Sequence, residues 1–154
     1  RPNFFANTPD ILHAFLQQGG RPAFEIRLVL AATLTPTYGI YGPPFELLQG
    51  VPREPGSEEY VDSEKYQVRH WDLDGSESIA PLATQLNRIR REHPALQSHE
   101  RLWFLPTSDD QVIAYSKHTE DGADVILTIV NLDPTTTRSG RVSLPLAGGT
   151  PHLH

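Results

Sequence analysis

Asn3-Phe4-Phe5-Ala6-Asn7-Thr8-Pro9-Asp10-Ile11-Leu12 is the stretch that decides how this chain folds. It opens as a short β-like piece and turns polar at its centre. Thr8 can cap a helix there, with Pro9 in the first turn, where a missing N–H costs nothing. The helix so opened runs through Ile11, Leu12, Phe15 and Leu16, and Gly19-Gly20 stops it. A second helix opens near Pro22 and carries Phe24, Ile26, Leu28, Val29, Leu30, Ala31, Ala32 and Leu34. Its second half is apolar nearly all round, which predicts burial. Pro36 closes it, and Thr37-Tyr38-Gly39-Ile40-Tyr41 reads as a short strand before the break at Gly42-Pro43-Pro44.

Outward from that core the periodicity changes twice. Residues 43–78 are rich in Pro, Gly, Glu and Ser and form the longest irregular stretch; loops beyond about 12–15 residues are usually functional or disordered. Residues 79–92 predict an amphipathic helix, with Ile79, Leu82, Leu86 and Ile89 on one face. Ser78 or Ser76 can cap it, Arg88, Arg90 and Arg91 suit its dipole, and Pro94 ends it. Beyond residue 98 the period is two: strands are predicted over 101–105, 111–117, 124–132 and 141–146, with Glu120-Asp121-Gly122 as a hairpin turn. No internal repeat is visible. The order strand, helix, helix, strand, loop, helix, then all-β suits the end of a (β/α)8 barrel with a β-domain behind it. It suits a generic α+β protein equally.

Composition excludes several function classes. At 154 residues the chain is one domain or pieces of two, and 38% hydrophobic with 21% charged residues marks a globular protein. Thirteen Lys plus Arg against nineteen Asp plus Glu give a net charge of −6, which argues against nucleic acid as a partner. Cysteine is absent, so disulfides, thiolate metal sites and cysteine nucleophiles are excluded; that fits a reducing compartment, and a cytoplasmic location is expected. No apolar run approaches the roughly 20 residues of a membrane helix, and Arg1-Pro2-Asn3-Phe4-Phe5 has no signal-peptide layout. With no Met, an abrupt start at Arg1 and a Gly-Gly pair close to the final His152-Leu153-His154, both ends read as cut, and a piece of a longer protein is expected. His13, His70, His93, His99, His118, His152 and His154 are scattered without a paired spacing, so no metal site is expected. No Gly-rich Lys-Ser/Thr loop offers to cradle a phosphate.

Five stretches carry a family resemblance. The run 3–12 resembles the fourth signature region of the α-amylase superfamily, in which a strand delivers an Asn and then an Asp to a barrel rim. Most members have Asn-His-Asp; here Asn7-Thr8-Pro9-Asp10 stands without the His. That departure is similar to the α-1,4-glucan:maltose-1-phosphate maltosyltransferases. So are Gly39-Ile40-Tyr41-Gly42 before Phe45-Glu46-Leu47, the runs Gly56-Ser57-Glu58-Glu59-Tyr60 and Ser63-Glu64-Lys65-Tyr66-Gln67, and the stretch 86–96. The likeness covers roughly residues 2–133.

The resemblance implies an α/β then all-β chain. Residues 1–95 would be the C-terminal portion of a catalytic (β/α)8 TIM barrel, and 96–154 the first strands of an antiparallel β-sandwich. It implies a retaining glycosyltransferase that moves maltosyl units from α-maltose 1-phosphate to the non-reducing end of α-1,4-glucans, with no cofactor, no membrane and a homodimeric parent. Such chemistry needs a nucleophile and an acid/base carboxyl, and the resemblance puts both upstream of this chain. Asp10 matches the third carboxylate, which stabilises the transition state. Asn7, Lys65 and Tyr66 match substrate-binding positions, Lys65 contacting the donor's outer glucose; Glu46 and Glu64 receive no catalytic role. The chain alone is therefore expected to be inactive and, with an open sheet edge, poorly folded. A superfamily hydrolase, a trehalose-forming isomerase and a non-catalytic carbohydrate-binding module stand as alternatives.

Overall fold

The computed structural model describes residues 2–73 and 77–144. Two small sheets flank a helical layer. Strand β1 (Asn3–Phe5) pairs in parallel with β2 (Thr37–Gly39), in the register Asn3↔Thr37, Phe4↔Tyr38 and Phe5↔Gly39. Helix α1 (Ala14–Leu34) connects them, since parallel neighbours need a crossover of this kind. Its buried side chains, Leu16, Ala23, Phe24, Leu28, Ala31 and Ala32, form the centre of the main core.

The start of α1 corrects the reading from Thr8. Residues 8–13 are not helical. The Thr8 hydroxyl accepts only from Ile11 N (3.2 Å), while the buried Leu12 spends its N–H on Glu58 O (2.6 Å). That bond ties the segment to a distant loop and cannot coexist with a helical turn through residue 12. His13 caps α1 instead, its Nδ1 accepting from Phe15 N. The break at Gly19-Gly20 is present as a kink: Gly20 sits at φ 57, ψ −157, a region essentially reserved for glycine. Pro22 lies in the first turn after it, where its ring is tolerated.

The stretch read as irregular contains one further helix, α2 (Gly42–Glu46). It places Phe45, fully buried, against Phe24 with ring centroids 5.2 Å apart. Helix α3 (Ala80–Glu92) follows the predicted limits closely, and the Ser78 hydroxyl accepts from Ala80 N at 3.0 Å; the other candidate cap, Ser76, lies outside the described residues. Arg90 does more than suit its own helix dipole. Its guanidinium crosses to the C-terminus of α1 and donates to the carbonyls of Ala32, Thr35 (3.1 Å) and Pro36 (2.7 Å), with the Tyr38 ring beneath it at 5.0 Å. Helix ends leave such carbonyls without partners, and one half-buried guanidinium here serves three.

A 3-10 turn (Pro94–Gln97) leads into the antiparallel sheet β3 (Leu102–Leu105), β4 (Val112–His118) and β5 (Val125–Asn131), in that spatial order. Gly122, at φ 69, makes the β4–β5 turn. The predicted fourth strand is represented by an antiparallel bridge, Thr107↔Val142, and residues 145–146 lie outside the described residues. Polar contacts help to join the sheet to the helices. Thr33 and Tyr115 share a hydroxyl hydrogen bond (2.5 Å), and Asp124 accepts from Ala95 N (2.9 Å) while pairing with His93 Nδ1 (2.8 Å). The opposite sheet face exposes Trp103, Val125, Leu127 and Ile129, Trp103 being stacked on His118. No helix among the described residues is long and apolar enough to cross a membrane.

Lys117 is buried between sheet and helices, and its Nζ has no hydrogen-bond partner among the described residues. Burial first, then the charge of Arg90, pulls its pKa down from 10.5 to about 8. The unfolded chain therefore binds the extra proton between those values, so stability should rise with pH from about 8 towards 10.5 and be level below that window. Urea unfolding across this pH range should show that slope in the parent chain. Lys117→Met should remove it and stabilise the protein at pH 7, since it replaces an unpaired buried charge by an apolar side chain of similar length. Gly20→Ala should cost about 1–3 kcal/mol, because alanine cannot hold the Gly20 conformation without strain; thermal melting measures it.

Candidate functional site

β1 and β2 run in parallel, so their exits meet on one rim. Ala6 N donates to Gly39 O (3.0 Å), and the next rung is made by a side chain: Asn7 Oδ1 accepts from Tyr41 N (2.6 Å). Asn7 Nδ2 donates to the Tyr60 hydroxyl (2.8 Å) and reaches Tyr41 O at 3.4 Å. Asn7 is buried, and so is Tyr60, whose ring meets Tyr41 edge-on at 5.7 Å. Arg27, on α1, holds the same turn by donating to Ala6 O (2.6 Å). Asn7 thus lies under the rim, pinning two strand exits and a loop.

Above it the chain projects Asp10. The loop from residue 50 folds back as a narrow ribbon, with Val61 N on Val51 O and Arg53 N on Glu59 O, and Gly56 at φ 82 makes its turn. The ribbon brings Glu59 beside the rim. The buried Ser63 then sets the next turn: its hydroxyl accepts from Lys65 N, and its carbonyl from Tyr66 N. Lys65 Nζ consequently lies 2.6 Å from Asp10 Oδ1 and 3.5 Å from Glu59 Oε1. Tyr66 donates its hydroxyl hydrogen to Glu59 Oε1 (3.2 Å), and Arg53 both pairs with Glu59 Oε2 (3.0 Å) and lies over the Tyr66 ring (5.4 Å). A hollow of about 320 Å³ opens beside this group, with Arg53, Tyr60, Ser63 and Tyr66 in its wall.

The hydrogen bond to Asp10 holds the Lys65 ammonium above the usual lysine range, and the Arg53 guanidinium holds Glu59 below the usual carboxylate range. At neutral pH Glu59 is an acceptor and Lys65 a donor. An ammonium between two carboxylates, edged by a phenol and a guanidinium, is a dense and open set of donors and acceptors, of the kind that binds a polyhydroxylated ligand.

Residues 104–150 match a family model described as "GLGE, C-terminal". The chain is 58% identical over 150 residues to the α-1,4-glucan:maltose-1-phosphate maltosyltransferases 2 and 1 of Streptomyces coelicolor, an overlap of 95% of this chain and 22% of each relative. It is 49% identical over 159 residues to the α-1,4-glucan:maltose-1-phosphate maltosyltransferase of Chlorobaculum tepidum, covering 99% of this chain and 24% of that protein. The chain is thus similar in sequence to one segment of these maltosyltransferases. It spans between a fifth and a quarter of the length of the curated relatives it matches.

Asp10, Lys65 and Tyr66, all singled out from sequence, form one exposed group, while Asn7 sits buried beneath it. Glu59 and Arg53 complete the group, and sequence reasoning passed over both. Glu59 had only its place in the run 56–60 as a signal, and Arg53 only its place in the irregular stretch 43–78, because the ribbon that places them has no periodicity. Trp71 was missed likewise. Its indole N–H donates to Glu64 Oε1 (3.1 Å), Tyr41 donates its hydroxyl hydrogen to Glu64 Oε2 (2.5 Å), and the Arg69 guanidinium lies 4.0 Å over the indole. Burial, then the Glu64 bond, lifts the Tyr41 phenol to about 12, and the two donors hold Glu64 low. Glu46 belongs to a joint, accepting from the Ser78 hydroxyl (3.3 Å) and, through its carbonyl, from Ile79 N. Of the histidines, His13, His93 and His118 have the structural contacts given above, and His152 and His154 lie outside the described residues. Among the described residues no group of three or more His, Cys, Asp or Glu comes together.

Two substitutions should separate scaffold from surface. Asn7→Ala strands the half-buried Tyr41 N–H and removes the donor to the buried Tyr60 hydroxyl, and should cost about 1–3 kcal/mol. Lys65→Met breaks only exposed ion pairs and should change stability by less than about 1 kcal/mol. Chemical denaturation of the two variants of the parent protein tests the contrast; equal losses would contradict it.

Proposed function

We propose that this chain is the C-terminal part of a retaining glycosyltransferase that moves maltosyl units from α-maltose 1-phosphate to the non-reducing ends of α-1,4-glucans. The observation that carries the proposal is the ion pair of Asp10 and Lys65 at 2.6 Å on the shared rim of β1 and β2, in a segment 58% identical to named maltosyltransferases. The parallel β1–α1–β2 unit supports reading residues 1–95 as the end of a (β/α)8 barrel, whose chemistry lies at the C-terminal ends of its strands. The β3–β4–β5 sheet with its exposed apolar face supports reading 96–154 as the opening of a β-sandwich. The parent is a homodimer that works in the cytoplasm without cofactor, membrane or nucleic acid.

In this reading, a nucleophilic carboxylate outside the chain displaces phosphate from the anomeric carbon and forms a glycosyl–enzyme intermediate, which a glucan hydroxyl then attacks. Asp10 accepts hydrogen bonds from ring hydroxyls that strengthen as positive charge develops at that carbon, so it acts on the barrier. Lys65 and Tyr66 donate to hydroxyls of the donor's outer glucose, Glu59 fixing both. Asn7 holds the rim on which the sugar rests. The segment alone turns nothing over.

Phosphate release from maltose 1-phosphate with glycogen as acceptor, measured on the full-length protein, tests the proposal. Asp10→Asn should lower kcat by about 100-fold or more, the scale of losing one transition-state contact, with an unchanged melting temperature. Near-normal turnover in that variant would sink its assigned role.

A further inference from the structure

Glu64 stands next to Lys65 but faces the other way, and both its oxygens are occupied. Oε2 accepts from the Tyr41 hydroxyl at 2.5 Å and Oε1 from the Trp71 indole N–H at 3.1 Å. The two donors come from opposite ends of the rim. Tyr41 follows β2, its own N–H held by Asn7, and its ring is braced against the buried Tyr60. Trp71 lies at the far end of the loop, its face covered by Arg69, which also donates to Val61 O (3.4 Å) at the loop's start. One carboxylate therefore joins the exit of β2 to both limbs of the 61–71 loop. The Ser63 turn sets the direction of residues 65 and 66 and stands immediately before it.

We propose that Glu64 is a positioning residue. Held between Tyr41 and Trp71, it fixes the loop so that Lys65 and Tyr66 present their donors to the sugar without having to be ordered by it. The proposal rests on the maltosyl-transfer reading above. Its physical basis is preorganisation. Lys carries one of the most mobile side chains, and a loop of this length free of its clamp would have to be ordered at the moment of binding. Hydrogen bonds to a charged acceptor are the strong ones, and a carboxylate can accept both donors at once where an amide oxygen paired with an NH2 cannot. Glu64 touches no sugar in this scheme, and its effect falls on binding, shared by ground and transition states.

The test uses the full-length protein and maltose 1-phosphate. Glu64→Ala should raise KM for the donor by roughly tenfold or more, the scale of losing bonds to a charged acceptor, while kcat stays within about threefold and the melting temperature within a few degrees. Tyr41→Phe and Trp71→Phe should each give part of the rise, and Glu64→Gln should lie between alanine and wild type. Combining Lys65→Met with Glu64→Ala should add little beyond the larger single effect, because both act through the same contact. Unchanged KM in Glu64→Ala, a fall in kcat alone, or full additivity with Lys65→Met would overturn the proposal. If the wild-type protein releases no phosphate from maltose 1-phosphate, the transfer reading itself fails, an outcome distinct from a wild type that turns over and a variant that matches it.

Discussion

Where the β1–β2 ladder runs out, a side chain continues it. The last paired residues are Phe5 and Gly39, and one further backbone bond follows from Ala6. Beyond that the chains diverge, and the amide of Asn7 takes the place of a peptide group, accepting from Tyr41 N and donating to Tyr60. An amide side chain has the same donor and acceptor as a backbone unit, so it can extend a ladder without the geometry of a strand. This lets Pro9 and Asp10 leave the sheet at once and stand on the rim. The Asp10 turn, the Tyr41 corner and the Tyr60 ribbon all meet at this group.

Most of the scaffold follows from pattern. The period of two over 111–117 and 124–132 places β4 and β5, and the apolar steps from Ile79 to Ile89 place α3, because burial on one face imposes the period. The mistakes have local causes. Thr8-Pro9 carries a strong helix-start signature, but Leu12 is drawn to the Glu58 carbonyl and the helix waits until Ala14. Pro43-Pro44 reads as a break, yet the first turn of a helix accepts proline and the burial of Phe45 rewards one.

The site was legible as residue types and not as an arrangement. Asp10 and Lys65 are 55 positions apart, and nothing periodic links them. Family likeness supplied both, whereas Glu59 and Arg53 enter only because a ribbon folds back at Gly56. Trp71 gave no signal, since a single aromatic in a polar loop resembles any other. Loops carry function because a rigid frame positions them, and the frame's registration with the loop is a tertiary fact.

Lys117 has a use outside stability. Its amine is enclosed between β4 and the helical layer and has no partner among the described residues. At mildly alkaline pH a large fraction of it is the neutral, nucleophilic form, yet an acylating reagent reaches it only when sheet and helices part. The speed of its labelling is therefore a clock for that parting, readable by mass spectrometry at a single position. Lys65 is exposed, so its reaction waits on no such parting and is slowed only by the ion pairs that keep it protonated, and the lag at Lys117 reports how often the joint breathes.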